Sequence, residues 1–138
     1  MHIAETDDEI MACLPVLKEL RPHINEGEFL NTLRQMQDEG YVLACEKQNN
    51  EVVSVAGYYL CTNLSVDGKA LYVYDLVTTE QKRSDGHGDR LITDLKEIAR
   101  NDNCVVIHLD SGVQRFGAHR FYLNHGFDIV SHHFTCQL

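Results

Sequence analysis

Long apolar runs are missing from this chain, and so is any excess of positive charge. No stretch approaches the roughly 20 apolar residues needed to cross a bilayer, and no membrane partner is expected. Lys and Arg number 12 against 21 Asp and Glu, a formal net charge of −9. Broad nucleic-acid binding draws on clustered Lys and Arg, so that class is disfavoured. An acidic balance is compatible with a cationic partner such as an amine. The segment Met1-His2-Ile3-Ala4-Glu5-Thr6-Asp7-Asp8-Glu9 is acidic and lacks an apolar signal core, which leads to the expectation of a soluble, cytoplasmic protein. Cys13, Cys45, Cys61, Cys104 and Cys136 lack paired spacing. Their odd number predicts buried free thiols in a reducing compartment rather than a disulfide framework. Internal repeats, low-complexity tracts and linkers are absent too, so the 138 residues read as a single domain, 1–138.

What is present is an alternation of helical and strand patterns. Ile3 to Glu5 suits a short strand. Thr6-Asp7-Asp8-Glu9 has the form of a capping box, and Ile10, Leu14 and Leu17 repeat at helical spacing up to about Leu20. Pro15 is expected to kink or split that helix. A second helix is expected from Glu26 to Glu39, with Phe29, Leu30, Leu33 and Met36 inward and Gly40 at its C-terminal end. Strand patterns follow at Tyr41–Glu46, Glu51–Leu60 and Leu71–Thr79. The first two are joined by the turn Lys47-Gln48-Asn49-Asn50, and the last two by a polar connection, Thr62–Lys69. An amphipathic helix, Asp89–Arg100, leads to a short β-branched run, Val105–Leu109, expected to be a buried strand parallel to Leu71–Thr79. A short helix, Ala118–Asn124, and two strands, Phe127–Val130 and His132–Cys136, complete the order β-α-α-β-β-β-α-β-α-β-β. The fold class is mixed α/β.

Between the third long strand and its helix lies Arg83-Ser84-Asp85-Gly86-His87-Gly88. A strand that turns through glycines into a helix can hold a phosphate. The glycines let backbone come close, and the first helical N–H groups lack partners and carry the positive end of the helix dipole. The loop has no Lys after its last glycine, which excludes a Walker loop. It also lacks the third glycine of a dinucleotide fingerprint. Taken alone, the pair of glycines fits a phosphate cradle and a plain turn equally. His119, His125, His132 and His133 cluster late in the chain, but no His-x-x-x-His pair has supporting Cys or carboxylate spacing. Packing or solvated roles are expected for them, and no metal.

Arg83-x-x-Gly86-x-Gly88, preceded by Asp75-Leu76-Val77-Thr78, resembles the pyrophosphate loop and fourth strand of the GNAT superfamily of acetyl-CoA-dependent N-acetyltransferases. The stretch from Ala118 to Phe127, with Tyr122 ahead of Gly126-Phe127, is similar to that family's downstream signature. The run Asp110 to Tyr122, with His133-Phe134, resembles the small-molecule branch that includes aminoalkylphosphonate N-acetyltransferases. The resemblance implies a GNAT-like, mostly antiparallel sheet flanked by helices, with acetyl-CoA as co-substrate and a small-molecule amine as acceptor. It implies that the backbone of Ser84, Asp85, Gly86, His87 and Gly88, with Arg83, meets the coenzyme A pyrophosphate. Leu76, Val77 and Thr78 would serve the pantetheine arm, and Ser111 would join the cofactor site.

Tyr122 is the expected acid for the departing thiolate, since a neutral phenol can protonate a thiolate when well placed. Relatives that carry a Glu early in the fourth strand have Tyr72 in its place here, which leaves the base open among Asp75, Asp110, Ser111 and a water chain. Asp75 is the candidate named, although strand alternation places it opposite Tyr72. Asp85 departs from the usual basic or neutral loop residue and is unfavourable beside a pyrophosphate unless it faces solvent. His23, Glu26, Glu28 and the Thr62–Lys69 connection are the expected acceptor contacts. Sheet edges or the last strands offer a homodimer surface. Two other readings stay open: acetylation of a protein N-terminus or lysine, and a non-catalytic acyl-CoA-binding module.

Overall fold

Thr6 opens the first helix, α1 (Asp7–Leu20), as the sequence requires: its hydroxyl accepts from the Glu9 N–H at 3.3 Å, and Glu9 returns a bond to the Thr6 N–H at 3.0 Å. The Thr6 and Glu5 N–H groups, both donating to the Glu9 carboxylate at 3.0 Å, pull that carboxyl down to about 2, with help from His2. Pro15 neither splits nor ends the helix. It lies on the exposed side with Met11 and Ala12, while Ile10, Cys13, Leu14, Val16 and Leu17 face the core. The carbonyl that a proline frees is best tolerated on such a face, where water can take the bond. Helix α2 (Glu26–Asp38) is capped by Asn25 and closed by Gly40 at φ 99°, with the Tyr41 N–H bonded to the Met36 carbonyl and the Gly40 N–H to that of Gln37. That pair of bonds is the Schellman closure, which needs a left-handed residue.

The computed structural model describes residues 1–138, in two units, Met1–His108 and Leu109–Leu138. The first holds most of a five-stranded sheet in the order β1 (His2–Ile3), β2 (Val42–Gln48), β3 (Glu51–Asn63), β4 (Gly68–Thr78), β5 (Cys104–Leu109). The first four strands pair antiparallel. Asn49 and Asn50, both at positive φ, form the two-residue hairpin between β2 and β3, a conformation that asparagine tolerates. The Thr62–Lys69 connection narrows to a turn at Leu64–Asp67. Thr62 pairs with Lys69 and Asn63 with Gly68, because polar side chains do not prevent a ladder whose outer face meets water.

The sheet buries both faces. One packs on α1 and α2 through Leu43, Cys45, Val55 and Val77. On the other, α3 (His87–Asn101) lays Leu91, Ile92, Leu95 and Ala99 against β3 and β4. β5 lies beside β4, with α3 between them in the chain, as the expected parallel pair requires. It is not the buried strand expected. None of its residues is fully buried and Val105 is exposed, since the last strand of a sheet has only one neighbour.

The second unit contains α4 (Phe116–Asn124), which ends at His125-Gly126 as its sequence indicates. The two final strands are not formed. Residues Phe127–Val130 and His132–Cys136 are irregular, and Ile129, Val130 and Phe134 are exposed. β-branched alternation is a preference only; a strand exists where a second strand takes its hydrogen bonds, and this segment has no ladder partner. All five cysteines are free, yet only Cys13 and Cys45 are buried; Cys61 and Cys136 are exposed, against the expectation of buried thiols. No helix is long and apolar enough to cross a membrane.

Candidate functional site

β4 leads to a single 3-10 turn, Glu80–Lys82, and then into the glycine loop. Ser84 at φ 71° and Gly86 at φ 78° are both left-handed, and α3 starts at His87, two residues before its expected start. Arg90 is the first helical donor to close, onto the Gly86 carbonyl at 3.1 Å. The N–H groups of His87 and Gly88 therefore belong to the open first turn, where an anion is favoured. Asp85 is exposed, the position in which a carboxylate least opposes an anion nearby. Arg83 does not reach into the loop. It bonds the Thr78 carbonyl at 3.3 Å and lies 3.6 Å from Glu19, whose other contacts tie down Thr79 and the Glu80 N–H.

His87, expected to serve through its backbone, also has a side-chain role. It is 5% exposed, and its Nδ1 lies 2.8 Å from Glu46 Oε2 on β2. Arg90 Nη2 lies 2.6 Å from the same Nδ1, so the ring nitrogen sits between a carboxylate, which accepts, and a guanidinium, which donates. Arg90 holds the other Glu46 oxygen at 3.1 Å and reaches the Asp85 carbonyl at 3.4 Å. His87 Nε2 is buried without a partner. Glu46 thus fastens the first turn of α3 to the end of β2, next to the β2 irregularity at Glu46/Lys47. Leu76 and Val77 pair with Ala56 and Val55, and Thr78 Oγ1 lies 2.9 Å from Ser54 Oγ.

On the α1/α2 face, β4 is bulged. Asp75 is opposite Gly57 and Val73 opposite Tyr58, which leaves Tyr74 as the extra residue. The bulge overturns the expectation that Tyr72 and Asp75 point apart. Their partners, Tyr59 and Gly57, are two residues apart on β3 and so share a face, and one inserted residue puts Asp75 back on the side of Tyr72. Asp75 is nearly buried. Its Oδ1 accepts from Arg21 Nε at 3.0 Å and its Oδ2 from Tyr41 Oη at 2.8 Å, while Arg21 also donates to the Tyr74 carbonyl at 3.0 Å. Burial, and then the Asp75 charge, push the Tyr41 phenol strongly up, so it stays a donor. A side chain at Gly57 would overlap the Tyr41 hydroxyl. The glycine is what lets the tyrosine reach Asp75. His23, Glu26 and Glu28 are exposed, and Glu26 is taken by Lys18, which lowers its carboxyl.

In the second unit, Tyr122 lies on α4 in edge contact with Phe121 and Phe127, at centroid distances of 5.5 and 5.8 Å. Burial raises its phenol, which keeps the proton on oxygen. Ser111 Oγ is buried without a protein partner, a hydroxyl suited to a ligand. Asp110 lies 3.1 Å from His133. His119 and His125 bond the carbonyls of Gly112 and Phe121 at 2.9 and 2.8 Å.

Arg21, Tyr41, Glu46, Gly57 and Arg90 were not singled out from sequence. The one local signal was Gly57 inside a strand pattern, which marks a close approach.

The Acetyltransferase (GNAT) family profile matches residues 3–127. The uncharacterized N-acetyltransferase YhdJ of Bacillus subtilis (strain 168) is 34% identical over 122 residues, covering 87% of this chain and 85% of that protein. Among solved structures, a transcriptional regulator from Bacillus halodurans C-125 superposes with a TM-score of 0.87 at 19% identity, covering 99% of this chain and all of that one. Glucosamine-6-phosphate N-acetyltransferase from Arabidopsis thaliana does so with a TM-score of 0.78 at 18% identity, covering 99% and 95%. These likenesses to solved structures carry the fold. The left-handed glycine loop on α3, the bulged strand before it and the match across most of the chain agree: this chain belongs to the GNAT family of acetyltransferases.

Proposed function

We propose that the protein is an N-acetyltransferase that moves acetyl from acetyl-CoA to the primary amine of a small molecule, by direct attack in a ternary complex, within one domain spanning 1–138. The observation that carries this reading is the anion-ready first turn of α3 directly after bulged β4, in a chain that the family profile matches over residues 3–127. The glucosamine-6-phosphate N-acetyltransferase of like fold is named for a small amine-bearing substrate. Together with the Asp110–Tyr122 stretch and its resemblance to the aminoalkylphosphonate branch, it supports a small-molecule acceptor. The setting we propose is the cytoplasm.

In this mechanism the His87–Gly88 turn and Ser84–Gly86 hold the pyrophosphate, with Arg83 adding charge nearby, and the Ser111 hydroxyl completes the cofactor contacts. Leu76, Val77 and Thr78 present backbone to the pantetheine arm. An N–H of Leu76 or Val77 polarises the thioester carbonyl. An alkylamine is mostly protonated at neutral pH, and Asp75 takes that first proton. To do so it gives up one of its two donors, Arg21 or Tyr41. The amine nitrogen then attacks the thioester carbon; the C–N bond forms and the C–S bond breaks. Tyr122, neutral because burial raises its phenol, protonates the leaving thiolate. The second proton lost by nitrogen restores the phenol.

Thiol release from acetyl-CoA across a panel of amines and peptides tests the reading. Small amines are expected to turn over, and Tyr122→Phe is expected to lower kcat about 100-fold while acetyl-CoA KM changes little. Unchanged turnover in that variant removes Tyr122 from the chemistry. Acetylation of peptides alone selects a protein acetyltransferase, and tight acetyl-CoA binding without turnover selects a binding module.

A further inference from the structure

Four of the six tyrosines stand in one unbroken row on the α1/α2 face of the sheet. Tyr41 meets Tyr59 at a ring-centroid distance of 5.3 Å, Tyr59 meets Tyr74 at 5.1 Å, and Tyr74 meets Tyr72 at 4.9 Å. His108 of β5 extends the row at 6.0 Å. These are spacings at which aromatic rings attract through edge and tilted contacts. The row begins in the core, where Tyr41 is buried, and surfaces at Tyr74, which is 52% exposed.

Packing within the chain explains the buried end and leaves Tyr74, the third ring of the row, half open to solvent. Tyr74 is the bulge residue itself, one position before Asp75 and two before Leu76, where the proposed mechanism places the thioester. The charges that act on its neighbour Tyr59 are negative: after burial, Glu39 and Asp75 raise the Tyr59 phenol. The cation nearby, Arg21, is committed to Asp75 and to the Tyr74 carbonyl. Tyrosine faces attract a cation and accept a flat ring, and a second acid group would meet a like field.

We propose that the acceptor is an arylalkylamine: a monocationic amine whose aromatic ring lies against Tyr74 and Tyr72 and whose ammonium is led towards Asp75. This rests on the acetyl-transfer reading above and specifies its substrate class.

The test compares kcat/KM by thiol release for phenethylamine, a ring-less alkylamine of matched length, glucosamine and an aminoalkylphosphonate. The arylalkylamine is expected to lead the ring-less amine by about tenfold, the margin that one good aromatic contact supplies. Tyr74→Ala is expected to erase that margin and leave acetyl-CoA KM and the ring-less amine unchanged, and Tyr74→Phe to keep it. Equal rates with and without the ring, preference for the sugar or the phosphonate, or a margin that survives Tyr74→Ala overturns the proposal. If ring-less amines turn over while ring-bearing ones do not, only this inference falls. If no amine in the panel accelerates thiol release from acetyl-CoA, the acetyl-transfer reading falls first and this one with it.

Discussion

Two clusters, each built on a carboxylate and an arginine with one ring side chain, sit on opposite faces of the sheet. On the α1/α2 face, Asp75 is held by Arg21 and by the Tyr41 hydroxyl. On the α3 face, Glu46 is held by Arg90 and by the His87 ring. Each pins a backbone irregularity that a regular strand or helix would erase: the Tyr74 bulge in one case, the left-handed turn at Ser84–Gly86 in the other. They differ in what they leave open. Both Asp75 oxygens are taken, so that cluster fixes a strand from behind and can enter chemistry only by releasing a donor. The Glu46 cluster leaves the N–H groups of His87 and Gly88 in the open first turn of α3, ahead of the first helical bond from Arg90 to Gly86. In the proposed mechanism one face of the sheet serves the acceptor and the other the donor.

Removing the acid of the first cluster should have the largest effect. Asp75→Ala leaves the Tyr41 hydroxyl buried without a partner and Arg21 without its carboxylate, at a cost of about 2–3 kcal/mol in denaturant unfolding. It should also lower kcat about 100-fold. A loss of stability with normal kcat would confine Asp75 to anchoring.

Next in size is Glu46→Gln, which weakens the grip on His87 and Arg90. Acetyl-CoA KM should rise about tenfold, the effect of one charge-assisted hydrogen bond, with amine KM unchanged. A donor truncated to acetyl-pantetheine, which lacks the pyrophosphate, should show no such loss. If both donors suffer alike, Glu46 supports the fold rather than the loop.

The two clusters should also part in alkali. The Tyr41 phenol is raised in the folded state, so its contribution is complete below the ordinary tyrosine value, near 10, and is lost as pH rises beyond it. Stability measured from pH 9 to 11 should fall, and Tyr41→Phe should flatten that fall at a baseline about 1 kcal/mol lower. Glu46→Gln should leave the alkaline slope alone. The smallest effect is expected at the loop tip, where Asp85→Asn should lower acetyl-CoA KM by about twofold or less, because an exposed charge is screened by water.

Local rules made much of this architecture legible. Thr6 and Glu9 specify their capping box by themselves, and Gly40 and Gly86 supply left-handed residues where helices end or begin. The loop spacing and Tyr122 could be picked out because each is a short motif. The two missing C-terminal strands, the exposed β5 and the longer β3–β4 hairpin were not legible, since pairing depends on a neighbour that a single segment does not encode. Tyr41, 34 residues from Asp75, and Arg21, 54 away, were hidden for the same reason.

The sequence alone determined the element order of the first 126 residues and the glycine turn into α3. Those depend on backbone freedom, capping and periodicity, which act over a few residues. Only the tertiary structure decided that Asp75 shares a face with Tyr72, that His87 turns inward to Glu46, and that four tyrosines align. A single inserted residue in β4 shifts the side-chain alternation beyond it, and that shift exists only once β4 has a partner strand against which to be counted.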